Sequence, residues 1–243
     1  MLSIPYTIEN LIASVSDTIF RVFIVQDRYQ LWLTGLQNTL VIAFFALWIG
    51  LILGFLLAVL RVVHDATPRP PVWLRVLNRL AKIYISIIRG VPMVVQLMIF
   101  NFIILAASRN GVLIGILAFG FNSSAYVAEI FRAGILSVDK GQMEAGRSLG
   151  LSYAQTMRKI IMPQAIKNSI PTLGNEFITV LKETSIAGQV AIMDITRAGA
   201  VIRGLTYNPS PLIFVALIYL VMVLFLEFVV GRIERRLRRS DQR

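Results

Sequence analysis

EAGRSLGLSYAQTMRKIIMP, residues 144–163, is a polar stretch with helical patterning inside a chain that is otherwise strongly apolar. Of the 243 residues, 56% are hydrophobic and only 15% are charged, with a mean hydropathy of +0.72. Soluble domains carry about 25% charged residues, so the composition is that of an integral membrane protein, and an all-α fold is expected. The quoted stretch then has to lie outside the bilayer, and the rest of the chain decides on which side.

A membrane-crossing helix needs about 20 mostly apolar residues. Residues 36–60, 112–130 and 211–231 meet that requirement clearly. Residues 91–107 are shorter but nearly uncharged, and they open with Gly90-Val91-Pro92, where a first-turn proline lacks only an N–H that has no helical partner anyway. Residues 170–190 are long enough but carry several polar groups. Five transmembrane helices are expected, and the fourth is the polar one.

Five crossings put the termini on opposite sides, and cytoplasmic segments collect lysine and arginine. With the N-terminus outside and the C-terminus cytoplasmic, the inner segments hold eighteen of the 24 cations and the outer segments six. Topology therefore accounts for most of the net charge of +11, and no nucleic acid is needed to explain it. This places residues 133–167 in the cytoplasm, between spans three and four.

Residues 1–35 read as an outer-face N-terminal segment. Residues 4–23 lack the basic start and continuous apolar core of a signal peptide. Instead Ile8, Leu11, Ile12, Val15 and Ile19 recur at helical spacing opposite Glu9, Ser14, Asp17 and Arg21, as in a helix lying in the outer interface. Residues 36–231 form the five-span domain, and 232–243 a basic cytoplasmic tail. Pro68, Pro70 and Pro71 precede an amphipathic stretch over 72–88. Cysteine is absent, which excludes disulfides and thiolate metal sites. The single histidine, His64, has no second ligand at metal spacing and is given no role.

Within the loop, Asp139 with Gln142 and Ser152 with Gln155 have capping-box spacing, so two short helices are expected, the first ending at Gly150. Tyr153, Met157, Ile160 and Ile161 share one face of the second. Ala145, Gly146, Ser148 and Gly150 are small, which would allow a partner to approach the backbone closely.

The order Glu144-Ala145-Gly146, three residues, Gly150, nine residues, Ile160-Ile161-Met162-Pro163 resembles the EAA loop of ABC importer permeases. Gly146 stands where that pattern has alanine, and Met162 where it has leucine. Residues 84–92 (YISIIRGVP), 125–134 (AYVAEIFRAG), 140–142 (KGQ), 163–165 (PQA) and 181–185 (LKETS) are similar to flanking segments of the branch that takes up polar amino acids. The resemblance runs from about residue 36 to the C-terminus.

That resemblance implies a type I ABC importer permease fold in the bacterial inner membrane. It also implies a second permease subunit, identical or homologous, two cytosolic ABC ATPase subunits that hold ATP and Mg, an extracytoplasmic solute-binding protein, and an amino acid as substrate. No cofactor is expected in this chain, which has no phosphate-binding Gly-x-x-x-x-Gly-Lys-Ser/Thr loop and is expected not to be an enzyme. The loop would be a helix seated in a groove of the ATPase, with Glu144, Ala145, Gly146, Leu149, Gly150, Tyr153 and Met157 as the coupling residues.

Substrate candidates come from span four, where Thr172, Asn175, Glu176, Thr179, Lys182 and Glu183 fall mainly on one side. Charged groups in a span are costly unless they face protein or water. Glu176, Asn175, Thr179 and Lys182, with Asn101 on span two and Asn122 and Ser123 on span three, are therefore the expected substrate-binding residues, with Glu176 placed to meet a cationic group. Lys182 lies near the outer end, where snorkelling is the competing role, and Asn101, Asn122 and Ser123 could equally serve helix packing. A secondary transporter could use the same polar span, but it would leave the loop unexplained.

Overall fold

The computed structural model describes residues 8–239, and these form only helices and their connections. In chain order the helices are α1 (Ile8–Ile19), α2 (Tyr29–Ala66), α3 (Val72–Gly90), α4 (Met93–Ile99), α5 (Gly111–Leu136), α6 (Lys140–Ser148), α7 (Tyr153–Thr156), α8 (Met162–Glu183), α9 (Ile195–Thr206) and α10 (Ser210–Arg239). Residues 1–7 of the expected outer segment and 240–243 of the basic tail lie outside the described residues.

Three helices are long and apolar enough to cross a bilayer alone: α2, α5 and α10. They coincide with the three strongest expected spans and extend beyond them, so that α2 begins at Tyr29, inside the segment assigned to the N-terminal region. Two bent helix pairs are long and apolar enough when each pair is taken together, which gives up to five crossings by length and composition.

The second crossing differs most from its expectation. Met93–Ile104 is helical, ending in a π turn over Phe100–Ile104, and it meets α3 at 110°. Its length of about 18 Å is well short of the ~30 Å hydrocarbon core. The break has a local cause, because Val91 precedes proline and is driven extended, at φ −101° and ψ 131°. The carbonyls freed there are satisfied by Gln96, whose Nε2 donates to the Ile88 oxygen at 2.7 Å and to the Val91 oxygen at 2.8 Å.

The fourth crossing is longer than expected. Tyr153 to Val190 is one helical run that includes a π turn at Met157–Ile161, then bends by 48° into α9. The second loop helix is therefore the start of this crossing and no separate element. A π turn accommodates one extra residue without ending a helix, and Pro163 falls in the first turn of α8, where proline is tolerated.

Small residues set the spacing of the bundle. A Cβ at Gly50 would fall 2.8 Å from Ser123 Oγ, and one at Gly54 would fall 2.6 Å from Val127, so α2 and α5 approach nearly backbone to backbone. α5 is the most buried crossing, and α10, bare on most of its surface, is the edge. At the end opposite the α6–α7 loop, Asn38 Nδ2 donates to the Met193 oxygen at 2.8 Å, and Ile195 N donates to Thr39 Oγ1 at 3.1 Å. These bonds tie α9 to α2. Trp32, Ile195, Ala198 and Ile202 close a core there, with Phe23 stacked on Trp32.

Candidate functional site

The α6–α7 corner is built entirely from local backbone chemistry. The Asp139 carboxylate caps α6 by accepting from Gly141 N at 2.6 Å. Gln142 gives its backbone N–H to the Asp139 carbonyl, so the expected capping box reduces to a simple cap. Gly150 has φ +83°, Leu151 N donates to the Gly146 oxygen and Gly150 N to the Arg147 oxygen, the pattern of a left-handed helix stop. Ser152 and Gln155 form the expected reciprocal box: Ser152 N donates to Gln155 Oε1 at 2.8 Å and Gln155 N to Ser152 Oγ at 3.3 Å.

This corner presents Glu144, Ala145, Leu149, Gly150 and Tyr153 outward; Leu149 is 81% exposed. Gly146 and Met157 are turned the other way. Gly146 is buried beneath Thr156 and Ile160, so its small size serves the packing of α6 on the next helix and not the approach of a partner. Met157 rests on a core of Ile135, Val138, Ile161 and Ala165.

Above the corner, α5 and α8 border an open cavity of about 550 Å³ that runs from Ser137 and Asn168 to Glu176 and Thr179 and is also lined by Arg89. Glu176 is buried, and its carboxylate accepts from Ser123 Oγ at 2.8 Å. Asn168, Thr172, Asn175 and Thr179, spaced three or four apart, line the same cavity and stay exposed on the single chain. A carboxylate at the back and amides and hydroxyls in front suit a small polar molecule bearing a cation.

Three of the seven expected substrate residues, Glu176, Asn175 and Thr179, line the cavity, and a fourth, Ser123, is fully buried behind Glu176 and bonded to it. The other three lie elsewhere. Lys182 is exposed and Asn101 half-buried, and neither lines the cavity. Asn122 is buried and donates to Gln96 Oε1 at 3.2 Å, bracing the α3–α4 break.

Sequence reading missed an ion-pair cluster beside the cavity. Arg61 on α2 pairs with Glu129 on α5, and Arg132 reaches the other carboxylate oxygen at 3.5 Å. Arg89 lies 5.5 Å from the centroid of the Tyr126 ring. The available signal was a carboxylate, Glu129, inside span three and an arginine at the end of span one. Among the described residues no group of three or more His, Asp or Glu side chains could hold a metal ion.

A bundle of long apolar helices, bent crossings and a capped two-helix corner on a polar-lined cavity defines a membrane permease. The chain belongs to the family of binding-protein-dependent transport system inner membrane components, whose pattern matches residues 72–239. It is a transport subunit and not an enzyme, the ATPase being a separate chain.

Among its relatives is the arginine transport system permease protein ArtQ of Bacillus subtilis (strain 168), 40% identical over 86% of this chain and 93% of that one. The probable glutamine ABC transporter permease protein GlnM of the same organism is 37% identical over 90% and 99%. The crystal structure of an amino acid ABC transporter with histidines matches with a TM-score of 0.77 at 40% identity, covering 86% of this chain and 94% of that one. The inward-facing methionine ABC transporter MetNI shares the fold, with a TM-score of 0.75 at 21% identity.

Proposed function

We propose that this chain forms the translocation path of an ATP-driven importer of polar or basic amino acids, with Glu176 as the group that meets the substrate's cation. The observation that carries this reading is the buried Glu176 carboxylate, oriented by Ser123 and fronted by Asn175 and Thr179 in one cavity. Relatives bearing arginine and glutamine transport names support the substrate class.

In this reading the N-terminus is outside and the C-terminus cytoplasmic, as the cation distribution favours. Two chains of this type, or one with a homologous permease, meet around the path. Two ABC ATPase subunits, which hold ATP and Mg, grip the corner through Glu144, Ala145, Leu149, Gly150 and Tyr153, while Gly146 and Met157 keep that corner packed. An extracytoplasmic solute-binding protein delivers the amino acid. Closure of the ATPases is a rigid-body motion, and a capped helical corner transmits it without slack.

The test is uptake of arginine and of glutamine into proteoliposomes that contain the permease, its ATPase and binding protein, with ATP inside and no ion gradient. Uptake should require ATP, and Glu176→Gln should lower arginine uptake at least tenfold while leaving assembly with the ATPase intact. Undiminished arginine uptake across a concentration series would remove Glu176 from the path.

A further inference from the structure

Helix α3 divides into three stripes. Leu74, Asn78, Ala81 and Ile85 are buried against the bundle. Val72, Trp73, Val76, Leu80, Ile83 and Ile87 form an exposed apolar stripe, with Trp73 62% and Ile87 57% exposed. Between them on the helix surface, Arg75, Arg79 and Lys82 follow each other at four and three residues and so share one face. A helix with adjoining cationic and apolar faces lies in a membrane interface. The 110° angle to α4 lays α3 across the bundle, at a steep angle to that crossing.

At the junction of the basic and apolar stripes is a cavity of about 760 Å³, bordered by Arg75, Arg79, Lys82, Asn78 and, from α2, His64. His64 is bonded to Asp65 at 3.0 Å, and among the described residues Arg75, Arg79 and Lys82 enter no ion pair. Asn78 is only 3% exposed, and its Oδ1 has no hydrogen-bond partner. A buried amide oxygen without a donor is costly. An unoccupied acceptor flanked by three free cations, beside an apolar face, matches one chemistry: a phosphate that also carries a hydroxyl or ammonium donor, attached to acyl chains.

We infer that the α3 cavity is a binding site for the headgroup of an anionic phospholipid, with the phosphate held by Arg75, Arg79 and Lys82, a headgroup donor on Asn78, and the chains along Val76, Leu80 and Ile83. Basic pockets at the edge of membrane helices bind anionic headgroups on the same physical grounds. The site is separate from the Glu176 cavity, and its occupancy does not depend on which solute is carried.

Trp73 serves as the reporter. The chain has three tryptophans; Trp32 is buried, and Trp48→Phe removes the other lipid-exposed one. The full-length protein in this background is reconstituted in vesicles of three parts phosphatidylcholine to one part phosphatidylglycerol. Quenching is compared when either lipid carries brominated chains. Brominated phosphatidylglycerol should quench with at least about threefold preference per molecule. The Arg75→Gln, Arg79→Gln, Lys82→Gln triple variant should abolish that preference, and Asn78→Leu should reduce it by half or more. Both variants should be quenched by brominated phosphatidylcholine at least as strongly as wild type, which certifies that α3 still lies at the lipid boundary. Equal quenching by the two lipids in the unsubstituted site, or a preference that survives the triple substitution, overturns the inference. So does loss of the preference when inorganic phosphate is added at tens of millimolar with ionic strength held constant, because the site would then be one for a free anion.

Discussion

Ser123 on α5 donates its hydroxyl proton to Glu176 on α8 across 2.8 Å, and this bond joins residues 53 positions apart inside the bundle. It is the direct side-chain link between the second wall of the cavity and its deepest carboxylate. Removing the donor leaves a buried acceptor unpaired, at a cost of about 1–3 kcal/mol. Ser123→Ala should therefore lower the melting temperature and raise the KM for arginine uptake several-fold, whereas Ser123→Thr, which keeps the hydroxyl, should restore most of both. Transport kinetics and thermal melts in detergent check this.

Gly150 carries a different kind of constraint. Nothing within 4 Å would clash with a Cβ there, yet its φ is +83°. Most L-residues lose about 1–2 kcal/mol in that region, asparagine less. Gly150→Val should uncouple ATP hydrolysis from uptake, while Gly150→Asn should retain more than half of the coupling ratio. The measurement is ATP hydrolysed per amino acid taken up. Equal coupling by the two variants would make backbone conformation irrelevant at this corner.

Arg61 and Glu129 should behave as a unit. The side chain of Arg61 is 10% exposed and that of Glu129 is 29% exposed, so each is largely removed from water. Arg61→Met strands the carboxylate with only the longer contact to Arg132. The loss should be about 2 kcal/mol, below the range for a fully buried pair, and the double variant Arg61→Met, Glu129→Gln should recover part of it. A thermal-melt double-mutant cycle reads the coupling.

Gly54 tests the spine. A valine there would collide with Val127 and with the Ser124 carbonyl, so α2 and α5 would have to separate. Gly54→Val should lower folded yield and melting temperature sharply, by more than about 2 kcal/mol, and Gly90→Val, where nothing lies within 4 Å, should not. Size-exclusion profiles of the two variants distinguish the sites.

How much of this was legible in the sequence depended on the range of the interaction that decides it. The crossings α2, α5 and α10, the Ser152–Gln155 box and the stop at Gly150 rest on composition and neighbours within a few residues, and they were readable. The α3–α4 break was signalled by Pro92, but its angle is set by Gln96, which reaches back to Ile88 and Val91 while Asn122 reaches it from α5. Asn122 was expected in the path or, equally, as helix packing, and its partner Gln96 lies 26 residues away. Glu176 could be placed as a polar group facing protein, whereas its partner Ser123 was one candidate among several hydroxyls. Gly146 was misread in orientation, because a glycine in a helix does not announce whether it faces a partner subunit or its own fold. The Arg61–Glu129 pair joins residues 68 apart, a distance no periodicity reaches.

The unbroken run from Tyr153 to Val190 has a mechanical meaning. Tyr153 and Glu176 are separated by about 35 Å along one rod, so a push at the corner arrives at the carboxylate as tilt or twist, without lost motion. The turn at Met157–Ile161 takes up one extra residue within the run. Deleting one residue there would turn the π turn into an ordinary α turn and leave the far end near its present phase, whereas deleting one from the α-helical stretch between Met162 and Asn175 would rotate it by about 100°, carrying Asn175 and Thr179 off the cavity. Under the proposed roles, the surface that would take up the stroke and the surface that would hold the cargo share one helical register, so a change of register in the α-helical part of one resets the other.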